Sequence, residues 1–491
     1  VIVLAYLVIS LALGLAARKG RPQGAGRRDF ALGPGLKALP LFATMAATNF
    51  SAFTVFGLSG AGYRIGWAYY PAIGFGTGLM ALSFIVLGIP LRRLAAARGY
   101  LSPSDFVSDR LGSPALGKTV SILLVALTLP YMATQAIAGG RMLEAAAGLP
   151  YWLGALLVVG VTALYTLGGG FRAVAATDAL QIAILIGGAA ISFATILARA
   201  GGSAELGRRL LAEAPGKLSS VGAGGSLPPL SLLGTWLLWL LADPMFPQLF
   251  QRFYAARDDR SLVRTAALYP LATGSIFFMT VGIGVAGSVL APGLAGTETE
   301  QVFTRLAWAR GDDVLATVFI LAALAALMST MDSQLLTLST MVVQDFAPRK
   351  LRKKGSAAAV IGALALAAWV AALRPPKLIL DWLTGIAFPG YALLAPIMVY
   401  ALFSGRSAAN AAAALGVGLA ALALETAGAI RIAPIPQSLF NLCLQIAVLT
   451  AGVLVARSRT RGSAAKGTVP TGADDRGQAI RLGEFARPAW I

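Results

Sequence analysis

Three clusters of oxygen-bearing residues interrupt otherwise apolar stretches of this 491-residue chain, and their spacing suits cation binding. The most C-terminal is Ala325-Ala326-Leu327-Met328-Ser329-Thr330-Met331-Asp332-Ser333-Gln334. On a helix Ser329, Asp332 and Ser333 stand at i, i+3 and i+4 and share one face, while Ala325 and Ala326 let a second helix approach closely. A small hard cation is held by carbonyl, hydroxyl and carboxylate oxygens, several at once to replace its water, and sodium suits such a strip. The other two clusters are Ala46-Ala47-Thr48-Asn49-Phe50-Ser51-Ala52 and Trp239-Leu240-Leu241-Ala242-Asp243-Pro244-Met245-Phe246-Pro247-Gln248. Prolines 244 and 247 remove two backbone donors and free carbonyls in the preceding turn. At membrane depth such freed groups need compensation from protein, water or a bound ion. A lone Ser or Thr in a span ordinarily bonds back to its own helix, and a lone proline ordinarily marks a packed kink. Two matched interruptions, and a hydroxyl pair next to an aspartate, point instead to a site. An ionisable side chain in a span costs roughly 2.5 to 3.5 kcal/mol on insertion scales, so Asp178, Asp243 and Asp332 should each face a partner or an aqueous cavity.

The elements that position these clusters are apolar runs long enough to cross a bilayer, roughly 17 to 25 residues each. About thirteen can be traced, near 2–17, 36–62, 66–91, 117–145, 150–167, 174–197, 230–250, 266–290, 314–346, 357–373, 378–403, 408–424 and 437–456. The fold class is therefore an all-α polytopic membrane protein. A composition of 57% hydrophobic and 12% charged residues, with mean hydropathy +0.75, excludes a water-soluble enzyme. The absence of histidine removes the commonest general base and metal ligand, and the single Cys443 excludes an intrachain disulfide. The net charge of +19 resides mostly in alternate loops, at 18–28, 92–118, 172, 252–264, 349–354, 406 and the tail from 457. Positive loops resist translocation, so the amino terminus lies outside and the carboxyl terminus in the cytoplasm, across the cell (inner) membrane. The charge reads as orientation and affinity for anionic lipid, not nucleic-acid binding. The first run lacks a preceding basic region and a clean cleavage site, and reads as a retained span. No Walker-type run provides ATP binding, so uphill transport must draw on a gradient.

The two interruptions near 49 and 244 lie five spans apart. A five-helix unit repeated upside down would make them the equivalent first helices of two halves, an arrangement that places a central site where the broken helices meet. The expected organisation is a leading helix and basic loop (1–35), a first five-helix repeat (36–198), an external loop rich in Gly, Ser and Ala (199–228), a second repeat (229–404), two trailing helices (405–457) and a disordered cytoplasmic tail (458–491). The external loop and the tail are both expected to be mobile.

At these segments the sequence resembles the sodium:solute symporter family, with its proline, pantothenate, monocarboxylate, sialic acid and sodium-glucose carriers. The resemblance rests on Asn49-Phe50-Ser51-Ala52 with Gly57-Leu58-Ser59-Gly60-Ala61-Gly62-Tyr63, on Gly169-Gly170-Phe171-Arg172-Ala173-Val174 with Thr177-Asp178, on Gln251-Arg252 with Ala255-Ala256, and on Met328-Ser329-Thr330-Met331-Asp332-Ser333-Gln334-Leu335-Leu336. It spans nearly the whole membrane portion. It implies the five-plus-five inverted repeat, leucine-transporter-like, with one leading and two trailing helices. It also implies a principal sodium site made of the carbonyls of Ala47, Phe50 and Ala326 with the hydroxyls of Ser329 and Thr330. The additional sodium site of the sialic acid carrier is matched by Asp178, Ser329, Asp332 and Ser333, with Asp332 replacing a hydroxyl. Asp178 would either help bind a second ion or support the first site through hydrogen bonds.

The implied function is sodium-coupled import of a small organic solute by alternating access, with Na+ and the solute as the small-molecule partners and no obligate protein partner. Residues 66–74 lack the carboxylate that sugar carriers place there, which disfavours a sugar. The segment Tyr131-Met132-Ala133-Thr134-Gln135 and its continuation to Glu144 look most like the pantothenate and monocarboxylate branches, favouring a monocarboxylate or pantothenate-like acid. Asn49 and Ser51 at the start of a half-helix would receive its carboxylate, and Tyr131, Gln135, Trp239, Phe246, Phe388 and Tyr391 would line the cavity. Asp243 opposes an anion when ionised and can donate to one when protonated, so proton coupling or a cationic group on the solute stays open. Other readings are a carrier of an amino acid or sugar, a passive channel, and a membrane sensor module acting with a separate partner.

Overall fold

The computed structural model describes residues 2–17, 26–308, 313–352, 354–374, 383–404, 407–430 and 435–465. Among the described residues the secondary structure is helical, apart from one isolated parallel bridge between Leu36 and Ala256. The expected basic loop over 18–25, the start of the run at 378 and the tail beyond 465 lie outside the described residues. A leading helix α1 (Ile2–Ala16) has 15 residues, fewer than a full crossing. A first broken span follows, α2 (Ala38–Asn49) and α3 (Phe53–Ile65), bent by 63°. Then come α4 (Tyr69–Arg98), α5 (Pro114–Ala147), α6 (Tyr151–Gly169) and α7 (Phe171–Arg199). A second broken span, α8 (Pro229–Met245) and α9 (Pro247–Ala255), bends by 57°. It is followed by α10 (Asp259–Leu290), α11 (Asp313–Phe346), α12 (Lys354–Ala372) and α13 (Leu383–Ser404), and finally α14 (Ala408–Thr426) and α15 (Gln437–Ala465). Among the described residues ten helices are long and apolar enough to cross a membrane, and counting each bent pair as one span raises the number to twelve. The bends recur at the same place in two successive five-span units, so the architecture is a five-plus-five inverted repeat.

Local chemistry explains both bends. Pro247 bars the helical conformation at the residue before it, and Phe246 accordingly stands at φ −58°, ψ 123°. No proline lies in the first break. There Phe50 is extended at φ −86°, ψ 116°, and the freed groups are taken up by side chains: Ser51 Oγ accepts from the Phe53 amide at 3.2 Å, and Thr54 Oγ1 from the Ser51 amide at 3.2 Å. The two broken spans are tied together at their basic-loop ends. The Leu36 amide donates to the Ala255 carbonyl at 2.8 Å, and the Arg257 amide donates to the Leu36 carbonyl at 2.9 Å.

Small residues let the helices cross at near backbone contact. A Cβ on Gly284 of α10 would fall 1.9 Å from the Ser59 carbonyl oxygen of α3, and one on Gly62 would fall 2.3 Å from that of Val281. Between α7 and α11, a Cβ on Gly188 would meet the Ala322 Cβ at 2.6 Å.

Two sequence expectations are corrected. The loop over 199–228, taken as mobile, contains a helix at Ser203–Glu213 whose Leu206 and Leu210, one turn apart, are buried. It is pinned further along, where Lys217 Nζ donates to the Arg64 carbonyl at 2.6 Å and the Trp67 amide to the Lys217 carbonyl at 2.9 Å. The glycines and serines suggested flexibility, but paired leucines and backbone bonds to the α3–α4 turn dock the segment. The tail was taken to begin at 458, whereas α15 continues to Ala465.

Gly284→Ala is expected to cost about 1 to 3 kcal/mol, because the blocking atom is backbone and cannot rotate aside. Gly187→Ala, which meets nothing within 4 Å, is the control and leaves stability unchanged or slightly higher. Thermal unfolding of the two purified variants in detergent checks this.

Candidate ion and solute site

The first break faces the middle of α11, and the contact between them consists of oxygens. Ser329 Oγ donates to the Ala47 carbonyl at 2.8 Å and lies 2.8 and 3.1 Å from the carbonyls of Ala325 and Ala326. Thr330 Oγ1 lies 2.9 Å from the Phe50 carbonyl and 3.2 Å from that of Thr48. All of these residues are buried. Hydroxyls and carbonyls thus converge from two helices on one dry point, with no carboxylate among them. Among the described residues no group of three or more His, Cys, Asp or Glu could hold a metal ion. A set of neutral oxygens fits a monovalent hard cation better than a divalent one, which favours carboxylate ligands.

One helical turn further along α11 lies a buried charge cluster. Asp332 accepts from Tyr165 of α6 at 2.8 Å, from Ser333 at 3.0 Å and from Thr177 of α7 at 3.3 Å. Asp178 of α7 accepts from Thr44 of α2 and pairs with Arg252 of α9 at 3.3 Å. The Arg252 guanidinium also donates to Thr44 Oγ1 at 2.9 Å, to Ser333 Oγ at 2.6 Å and to the Gln248 carbonyl at 2.7 Å. Thr48 Oγ1 lies 2.9 Å from Ser333 Oγ. The single proton of Ser333 goes to Asp332, so Thr48 donates to Ser333. Five helices, α2, α6, α7, α9 and α11, are joined through this network.

On the other side of the break is a shell of rings. Phe388 of α13 stands 4.8 Å from Trp239, 5.4 Å from Phe53, 5.5 Å from Phe246 and 5.6 Å from Tyr131 between centroids, and Phe246 stands 4.7 Å from Tyr391. Polar groups are threaded through it: Tyr131 donates to Ser51 Oγ at 2.9 Å, Gln135 Oε1 accepts from the Ala52 amide at 2.8 Å, and Tyr391 lies 2.8 Å from Thr128 Oγ1. Several buried polar atoms have no partner, namely both Asp243 carboxylate oxygens, both Gln248 amide atoms and Trp239 Nε1. Asn49 and Thr77 lie beside Asp243, which is also within electrostatic reach of Tyr131 and Tyr269. Unpartnered buried polar atoms are rare because each forfeits its hydration, so a group of them beside a ring-lined site marks the place of a polar ligand. Above Phe56, on the face away from the basic loops, a cavity of about 380 Å³ is lined by Arg141, Glu144 and Glu300 among others. Towards the basic loops Arg252 and Gln251 are buried, and Gln251 accepts from Thr337 at 2.6 Å and donates to the Leu101 carbonyl at 3.0 Å.

Ala47, Phe50, Ala326, Ser329 and Thr330 are thus brought to one point. Asp178, Asp332 and Ser333 are brought to another, together with Arg252. Ser51, Tyr131, Gln135, Trp239, Phe246, Phe388 and Tyr391 share the ring shell. Asn49 donates to Tyr269 at 2.6 Å and lies beside Asp243. The half-helix donors expected to receive a carboxylate are engaged here by Gln135 and Ser51, so a solute must displace them. Sequence reasoning missed Thr44, Thr48, Tyr165 and Thr177. Thr44 and Thr48 carried a signal, an i, i+4 hydroxyl pair leading into the break. Tyr165 carried none, because its partner is set by how α6 packs on α11.

Two half-helices meeting α11 inside a ten-helix inverted repeat define a secondary transporter. The fold matches a Na+-coupled sialic acid symporter at TM-score 0.75 with 19% identity, covering 92% of this chain and 96% of that one. It matches a nucleobase-cation-symport-1 family transporter at TM-score 0.63 with 14% identity, covering 93% and 98%. The model of the sodium:solute symporter family matches residues 30–418; the chain belongs to that family and is a sodium-coupled symporter of the multi-pass membrane type. Similar characterised proteins are the sodium/pantothenate symporter of Escherichia coli strain K12, 28% identical over 84% of this chain and 87% of that one, and the osmoregulated proline transporter OpuE of Bacillus subtilis strain 168, 30% identical over 79% and 80%.

Tyr165→Phe removes the shortest hydrogen bond to the buried Asp332 side chain, at 2.8 Å, without opening a large void. A loss of about 1.5 to 3 kcal/mol of stability is expected, as for hydrogen bonds to charged groups. Thermal or denaturant unfolding of the purified variant reads it directly.

Proposed function

We propose that this carrier imports a small organic acid bearing hydroxyl or amide donors, of the monocarboxylate or pantothenate-like class, driven inward by sodium. It would sit in the cell (inner) membrane with its basic loops and carboxyl end in the cytoplasm and its amino end outside. The observation that carries this reading is the convergence of the Ala47, Phe50 and Ala326 carbonyls on the hydroxyls of Ser329 and Thr330, across the joint between the first break and α11. As drawn, the hydroxyl protons point at those carbonyls. With sodium present, the same hydroxyls turn their lone pairs inward and five neutral oxygens face one ion.

Ion binding then clamps the break of α2 and α3 onto α11. It favours the form whose cavity opens above Phe56 and orders the half-helix that receives the solute. Because the coupling is a difference in affinity between states, solute strengthens sodium binding by the same factor by which sodium strengthens solute binding. The acid end of the solute would compete with Gln135 for the Ala52 amide, and its donors would satisfy Asp243. An unpaired Asp243 argues against a bare carboxylic acid and for one that also presents donors. The sodium/pantothenate symporter relative supports the same class. Asp243 also supports a second reading, an amino acid whose ammonium group pairs with it, in keeping with the relative that is a proline transporter. Nothing in the site performs bond chemistry, and the relatives are transporters, so the protein is read as a carrier rather than an enzyme.

In proteoliposomes, Ser329→Ala combined with Thr330→Ala is expected to abolish sodium-stimulated uptake while the folded protein remains in the membrane. Unchanged sodium dependence would remove the site. Pantothenate, lactate, proline and glucose, screened by thermal shift with and without sodium, separate the solute classes. A shift with pantothenate that sodium enhances, and that Asp243→Asn lowers at least tenfold in apparent affinity, is the expected outcome. A response to proline alone selects the amino acid reading.

A further inference from the structure

The cluster around Asp178 holds the acceptors that a second sodium ion would need, yet the structure gives them to a side chain. Arg252 lies on α9, directly after the second break, and is almost wholly enclosed, with 1% of its surface exposed. Its guanidinium donates to Ser333 Oγ at 2.6 Å and pairs with Asp178 Oδ2 at 3.3 Å, while its Nε holds Thr44 Oγ1 at 2.9 Å. The proton directions are fixed by this arrangement. Thr44 accepts from Arg252 and gives its own proton to Asp178; Ser333 accepts from Arg252 and Thr48 and gives its proton to Asp332. Both lone pairs of Ser333 Oγ and one of Thr44 Oγ1 are therefore taken by donors, and Asp178 Oδ1 is the one carboxylate oxygen of the pair left without a donor. One acceptor is not the shell of several oxygens that strips a sodium ion of its water.

The position of the charge leads to the same conclusion. The guanidinium sets its positive charge between Asp178 and the Ser333 hydroxyl, about one helical turn along α11 from Ser329 and Thr330, where a second cation would have to stand.

We propose that the Arg252 guanidinium occupies the place of a second sodium ion, so that this carrier binds one sodium per chain. Arg252 is then a positioning residue that sets ion stoichiometry, and it joins the second break to the ion joint of the first. The inference rests on the sodium site described under the proposed function, and its test keeps the two apart. Equilibrium binding of radioactive sodium to the purified full chain in nanodiscs, at pH 8 and without solute, is expected to saturate at one ion with a Hill coefficient of 1. Ser329→Ala with Thr330→Ala is expected to reduce it to none, and Arg252→Gln, which bares two carboxylates, to raise it to two. Monodispersity and thermal unfolding establish that each variant is folded. Should Arg252→Gln not fold, the wild type and the double variant still decide the matter. Two ions on the wild type, one ion persisting on the double variant, or a single ion on folded Arg252→Gln each overturn the proposal. No sodium on the wild type overturns the sodium site itself, and this inference with it.

Discussion

A helix interrupted halfway across a membrane leaves carbonyl groups that lipid cannot satisfy, and the architecture of this protein follows from how that deficit is met. At the first break the remedy is another helix. Ser329 and Thr330 of α11 reach the carbonyls of Ala47, Thr48 and Phe50, so the interruption between α2 and α3 becomes a point of attachment. Hydroxyls are the appropriate partners because they both donate and accept. They can satisfy the carbonyls themselves or share them with a cation, and the joint can exist in two states without stranding a polar group. A carboxylate there would bind an ion more strongly and release it less readily.

The second break is handled by charge as well as by hydrogen bonds. Pro247 fixes the bend, and the short helix after it carries Arg252 to the same region of α11 that the first break touches. A buried guanidinium is expensive unless its donors find partners, and here four of its five N–H groups are taken by Thr44, Ser333, Asp178 and the Gln248 carbonyl. The cluster therefore links the two inverted halves through an interaction that tolerates little displacement. The Leu36–Ala256 bridge reinforces the link at the basic face. Opening on that face must move these contacts together, which suits a carrier that has to avoid admitting both sides at once.

The solute region obeys a different logic. Its rings pack around Phe388, Phe53 and Tyr131 edge to face and Trp239 and Phe246 tilted, and are well satisfied as they stand. Its polar atoms are not. The side-chain polar atoms of Asp243 and Gln248 and Trp239 Nε1 lack partners inside an otherwise close-packed interior, and on the proposed reading a solute with matching donors and acceptors would supply them. Specificity of this kind is strong against molecules that lack the required donors, because they would leave the deficit in place.

Much of this was legible in the sequence. Spans follow from hydropathy alone, because a bilayer demands some twenty apolar residues wherever the chain crosses. The breaks follow from Pro244, Pro247 and the Thr48-Asn49-Phe50-Ser51 interruption, and the shared face of Ser329, Asp332 and Ser333 follows from helical spacing. Each is a local property, fixed by residues within a few positions of one another. The docked helix at Ser203–Glu213 was misjudged because its glycine-rich setting hid two leucines whose partners are remote. The same limit applied at the site. Asp178 and Arg252 are 74 residues apart, Tyr165 and Asp332 are 167 apart, and nothing in their neighbourhoods names the partner. Composition and period determined that this chain would cross the membrane repeatedly and be interrupted by polar residues in two of its spans. Only the packing of distant helices decided which charges neutralise one another, because Coulomb and hydrogen-bond energies depend on separation in space, which residue order does not encode.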